Sequence, residues 1–214
     1  MAGDLTADLP DLSRLALGYA PPAAKRQTAA LMALDERLAT ILRQKREPML
    51  AQLRLAWWRD RLGETPDRWP AGDAVLDAIR DWREPSGLVP VVDGWEVLID
   101  ERVDRAALDR FATGRASGFA ALADQLGQPR GAAFLAGRIW ALADLAANIS
   151  NRQERADALA LAQAGGPPPA LSRHMRPLGV LAGLGWRAVK SGGGPLLAGR
   201  TAALTAFRVG LTGR

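Results

Sequence analysis

Apolar residues recur along most of the chain at helical spacing. The clearest stretch is residues 25–62. Leu31, Leu34, Leu38 and Ile41 follow at intervals of three, four and three, one face of a 3.6-residue period. After a break at Glu47-Pro48, Leu50, Leu53, Trp57 and Leu62 continue a similar stripe. Pro48 suits the first turn of a second helix, where its missing N–H is not needed, and it biases Glu47 away from helical geometry. The pattern therefore predicts two long helices joined at a local break.

The rest reads as more helices. Residues 1–22 form a short amphipathic helix with Leu9, Leu12, Leu15 and Leu17 apolar, Asp11 or Ser13 as a cap, and Pro21-Pro22 as its end. Residues 63–72 are a Pro/Gly-rich loop. Residues 73–82 read as a helix with Val75, Leu76, Ile79 and Trp82 on one side and Asp73, Asp77 and Asp81 on the other. That carboxylate row is either a metal-binding face or an ordinary solvated one. Residues 88–103 carry VVDGWEVLIDERVD in part. Residues 105–126 carry Leu108, Phe111, Phe119 and Leu122 beside the small residues Ala112, Gly114, Ala116, Ser117 and Gly118. These allow either close approach to a neighbour or a glycine-weakened helix. Residues 131–164 read as the longest helix, 170–190 as a helix interrupted at Pro177, and 195–211 as a final one. Gly165-Gly166-Pro167-Pro168-Pro169 and Ser191–Gly194 are linkers. The expectation is an all-α, single-domain antiparallel helical bundle over residues 1–214, of about eight helices.

Composition narrows the chemistry. The 214 residues suffice for a sizeable core, and 48% hydrophobic with 24% charged content fits a globular chain. No cysteine is present and His174 is the only histidine, which excludes disulfides, thiolate metal sites and multi-histidine sites. No Gly-rich phosphate loop or Ser-His-Asp arrangement stands out. Residues 158–214 hold seven of the 28 basic residues and no acid, leaving 21 basic against 23 acidic in the rest. The basic excess of residues 170–214 points to an anionic membrane surface or an acidic protein partner, or simply to a basic solubilising surface. It lacks interleaved aromatics, so nucleic acid is not expected. The N-terminus, with Asp4, Asp8 and Asp11 and no basic lead, is not read as a signal peptide. No long uncharged apolar run suggests a membrane span. The expected location is cytoplasmic, extending to the periphery of the inner membrane.

Several segments together resemble the squalene/phytoene synthase family. Ala30-Leu31-Met32-Ala33-Leu34 is similar to its Ala-Leu-x-Ala-aromatic run, and the segment from Leu53 to Asp60, with Trp57-Trp58, is similar to a later helix of a bacterial and mitochondrial branch. Leu98-Ile99-Asp100 resembles the start of its Leu-Ile-Asp-Gly-Met-x-x-Asp motif, with Asp104 one position later than a strict match. Arg176-Pro177-Leu178 and Leu181-Ala182-Gly183 resemble late helices of the same branch. The Asp-rich motifs do not match. Ala39, Thr40 and Arg43 stand where the first motif has its carboxylates. At the second, Asp144 and Asn148 are the polar residues, followed by Asn151, Arg152 and Gln153. Diphosphate ionisation uses Mg²⁺, which takes oxygen ligands, and carboxylates four apart on a helix share a face that can supply them. Alanine offers no ligand, and arginine repels the ion.

The resemblance implies the isoprenoid-synthase fold and a protein that has lost its metal motifs: a non-catalytic, lipid- or partner-binding protein similar to the branch containing a mitochondrial complex I assembly factor. An isoprenoid or other lipid would occupy a central cavity, and no cofactor is expected. The alternative is a working Mg²⁺-dependent prenyltransferase. Substrate-binding candidates are Arg43, Arg54, Asp100, Asp104 and Asp144, with the arginines toward diphosphate and the aspartates toward Mg²⁺ in the active case.

Overall fold

A computed structural model describes residues 4–44, 47–99 and 103–213. The described residues form ten α-helices and three short 3-10 turns, with no strand among them. The helices are α1 (Asp11–Leu17), α2 (Pro22–Arg43), α3 (Pro48–Gly63), α4 (Ala74–Ile79), α5 (Val89–Glu96), α6 (Arg105–Gln125), α7 (Arg130–Asn148), α8 (Arg152–Ala164), α9 (Arg176–Lys190) and α10 (Gly199–Thr212). The all-helical expectation is met, and prolines stand in the first turn of α2, α3, α5 and α9.

The helices pack side by side in a run from α3 through α5, α6, α7 and α9 to α10. Helix α2 lies against α1, α3, α4, α5 and α6, while α8 covers α6, α7 and α9. One hydrophobic cluster collects residues from all ten helices. Its largest fully enclosed side chains include Leu34 and Leu38 of α2, Leu55 and Leu62 of α3, Leu108, Phe111 and Leu122 of α6, and Leu142 of α7.

Several expectations change. The described residues form ten α-helices where about eight were expected, and Pro177, expected to interrupt a helix over 170–190, stands in the first turn of α9, which begins at Arg176. The second stripe holds only at Leu62: Leu50, Leu53 and Trp57 are exposed, and α3 buries Ala51, Leu55 and Trp58 with Leu62. Apolar residues occur all round α3, so periodicity alone does not choose its face; packing on α5 does. Arg59 strengthens that contact, donating to Asp93 at 2.7 Å and to Glu96 of α5, and the Asp93 hydrogen bond holds its pKa above the ordinary value. The stretch at 131–164 is two helices. Asn151 ends the continuity by accepting the N–H groups of Gln153 and Glu154 at 2.9 and 3.3 Å, a cap that starts α8. The first helix is confined to Asp11–Leu17, with no side-chain cap.

The small residues of α6 do serve close packing. A Cβ on Gly114 would overlap the Pro90 carbonyl oxygen and lie 2.6 Å from the Gly94 Cα; one on Gly137 would lie 3.0 Å from the Ala116 Cα. The backbones of α5, α6 and α7 therefore approach to a distance that side chains forbid. Arg138 of α7 also donates to Asp109 and Thr113 of α6, both at 2.7 Å. Gly114→Ala should destabilise the fold by about 1–3 kcal/mol in denaturant titration despite alanine's better helix propensity. Gly131→Ala, where an added Cβ meets nothing within 4 Å, should be neutral or slightly stabilising.

Candidate functional site

The close approach at Gly94 and Gly114 places the next residue of each helix, Trp95 and Arg115, at the centre of the molecule. Arg115 has only 4% of its surface exposed. Its guanidinium grips Asp35 of α2 through two bonds, Nε to Oδ1 at 3.0 Å and Nη2 to Oδ2 at 2.6 Å. Nη1 donates to Asp144 Oδ2 of α7 at 2.8 Å. The Trp95 indole N–H adds a fourth bond, to Asp35 Oδ1, at 2.7 Å. Three rings surround the cation: its carbon sits 3.8 Å from the centroid of the Trp140 ring, 5.1 Å from that of Trp95 and 5.3 Å from that of Phe111. Edge-on contacts of Trp95 with Phe111 and of Trp140 with Phe119 fix those rings.

Burial alone would pull the Arg115 pKa down. The charges and hydrogen bonds of Asp35 and Asp144 outweigh it and leave the pKa above its ordinary value. A raised pKa on a basic group gives stability that is complete below the unfolded value and lost only as pH climbs through the folded one. Arg115 is thus a permanent cation at any ordinary pH.

This cluster forms one wall of a cavity of about 590 Å³. Met32, Ala39, Leu42, Leu98, Phe111, Leu145 and Ile149 give it an apolar lining, while Glu36, Arg43 and Asn148 add polar groups. Asp35, Ala39 and Arg43 all line it, as expected of residues four apart on one helix face. Three carboxylates (Asp35, Glu36, Asp144) and two guanidiniums (Arg43, Arg115) border the space, a formal balance of −1.

The residues singled out from the sequence are dispersed. Asp144 is in the cluster. Arg43 borders the cavity but is paired with Glu36 and donates to Thr40 Oγ1 at 2.8 Å. Thr40 lines a different hollow, on another side of α2 with Arg37 and Gln44. Arg54 is exposed on α3, in a shallow groove of about 280 Å³ with Trp57 and Trp58. Asp104 is exposed and caps α6, accepting the Ala107 N–H at 2.7 Å. Asp100 lies outside the described residues. In the acidic row, Asp73 caps α4 and Asp77 pairs with Arg80 at 3.4 Å.

The donor set does not suit Mg²⁺. The two carboxylates that flank Arg115 on this wall have committed three of their oxygens to its guanidinium, which would repel a second cation beside it. Among the described residues, no group of three or more His, Cys, Asp or Glu could hold a metal ion. No family model, curated protein or solved structure matches the chain.

Arg115→Met leaves two carboxylates facing each other without their cation and should cost about 3–5 kcal/mol in thermal or denaturant unfolding. Converting Asp35 and Asp144 to asparagine in the same background should restore most of that loss. Asp104→Ala removes only a cap and should cost about 1 kcal/mol.

Proposed function

We propose that the chain is a non-catalytic protein of squalene/phytoene synthase type, with the isoprenoid-synthase arrangement of helices, whose central cavity holds an isoprenoid or other lipid. The observation that carries this reading is the Arg115 bridge between Asp35 and Asp144. In the enzymes the resemblance points to, carboxylates on two helices hold the metal that activates diphosphate. Here α2 and α7 also present facing carboxylates, and the chain's own cation joins them. Neutralised on two sides, that guanidinium has little attraction left for a diphosphate, and the remaining charge around the cavity is negative. A ligand with a long apolar body and a small uncharged head fits this lining better than a diphosphate ester does.

Such a protein acts by binding. The basic residues of α9 and α10 suit an anionic membrane surface or an acidic partner, the role implied by similarity to an assembly-factor branch. No described helix is long and apolar enough to cross a membrane.

The prenyltransferase reading keeps one supporting observation: Asp35 and Asp144 border the same apolar space from two helices. It requires Arg115 to leave both carboxylates. Incubation with farnesyl or geranylgeranyl diphosphate and Mg²⁺ separates the two. The expected result is no pyrophosphate release, together with saturable binding of an apolar fluorophore that farnesol displaces. Ala39→Phe, which fills the cavity from α2, should weaken that binding about tenfold, equivalent to about 1.4 kcal/mol. Metal-dependent pyrophosphate release abolished by Asp144→Ala would establish catalysis instead.

A further inference from the structure

Helix α10 is apolar on two opposite sides. Its inner side, made of Ala202, Ala206, Val209 and Gly210, is buried against the rest of the protein. Its outer side carries Leu204, Phe207 and Leu211, which are 67%, 60% and 59% exposed. At 100° per residue these three fall within about 60° of arc, directly opposite the buried side. Arg200 and Arg208 are exposed on or beside the same stripe. A helix that needed only to cover the core would turn polar residues outward. This one turns out large apolar side chains flanked by cations, in a region of the sequence that holds no acid from residue 158 onward.

We propose that the outer face of α10 lies on an anionic bilayer. Leu204, Phe207 and Leu211 enter the boundary between headgroups and acyl chains, and Arg200 and Arg208 meet lipid phosphates. Charge complementarity selects this occupant. An acidic bilayer matches arginines with no carboxylate among them, whereas the other exposed apolar stripe, Met49, Leu50, Leu53 and Trp57 on α3, has a rim of mixed charge, with Glu47 and Asp60 as well as Arg54. Anchoring by α10 names the surface used under the membrane reading above and needs no ligand in the central cavity.

The test is flotation of the full chain with phosphatidylcholine vesicles containing or lacking phosphatidylglycerol. Wild type should float with the anionic vesicles only, and added salt should weaken the association. Leu204→Ser, Phe207→Ser and Leu211→Ser combined should reduce the partition coefficient at least about tenfold. Arg200→Gln with Arg208→Gln should reduce it several-fold. Met49→Ser with Leu53→Ser on α3 should leave it unchanged. An unaltered thermal midpoint shows that each variant folds, and the single Phe207→Ser substitution serves if the triple variant does not. Absence of wild-type flotation, equal recovery on neutral vesicles, or loss through the α3 variant in place of the α10 variants overturns the proposal. So does a lipid-free dimer that the α10 variants dissociate, which would assign the face to a second copy of the chain. Fluorophore binding that persists when flotation fails isolates the failure to α10, and flotation that persists in a chain without fluorophore binding isolates it to the cavity.

Discussion

A charge placed out of water must be answered by opposite charge and by hydrogen bonds, and Arg115 sets that requirement at the centre of this fold. Its guanidinium is answered from two directions, by Asp35 on α2 and Asp144 on α7, while Trp95 on α5 completes one of those carboxylates. Four helices are thereby tied to one position in space. Apolar packing supplies the larger share of the energy but tolerates some sliding. The planar fork of the guanidinium tolerates little, because its bonds to a carboxylate are directional. The directional bonds of the cluster and the close glycine contacts beside it both constrain how the helices sit, while the leucines and alanines around them bury the apolar surface.

Backbone contact and site geometry are linked through sequence neighbours. Gly94 precedes Trp95, and Gly114 precedes Arg115. The two glycines meet where α5 crosses α6, so the contact that brings the helices together also delivers the ring and the guanidinium to Asp35. The same helix then approaches α7 at Ala116 and Gly137, which brings Asp144 within reach of Arg115 from the other side.

Much of the helical framework was legible in the chain. Pro48 marks the start of α3, since a first-turn proline acts locally, whereas Pro22 and Pro177 read in the sequence as an end and a break and yet stand in the first turns of α2 and α9. The face of α3 was not legible, because leucine, methionine and tryptophan surround that helix and only the position of α5 chooses among them. The break between α7 and α8 had a readable sign in Asn151, but the apolar periodicity on either side masked it. The heart of the site was also missed, although its signal was there. Arg115 lies four residues from both Phe111 and Phe119, within the buried stripe of α6, and Asp35 lies four after Leu31 and three before Leu38, within that of α2. A charged residue on an otherwise apolar helical face is itself a sign of a buried partner. Attention to positions matching known acidic motifs passed over these two, one turn away from Ala39 and outside any motif.

The guanidinium bridge also bears on how the molecule comes to be assembled. A pocket organised by a diffusible ion depends on the supply of that ion, and its helices separate or rearrange when it departs. Here the clamp is covalently part of the polypeptide and stays charged in any compartment a cell maintains. The two opposing helices therefore close as a consequence of folding alone, and the hollow beside them takes its shape from the chain's own charges.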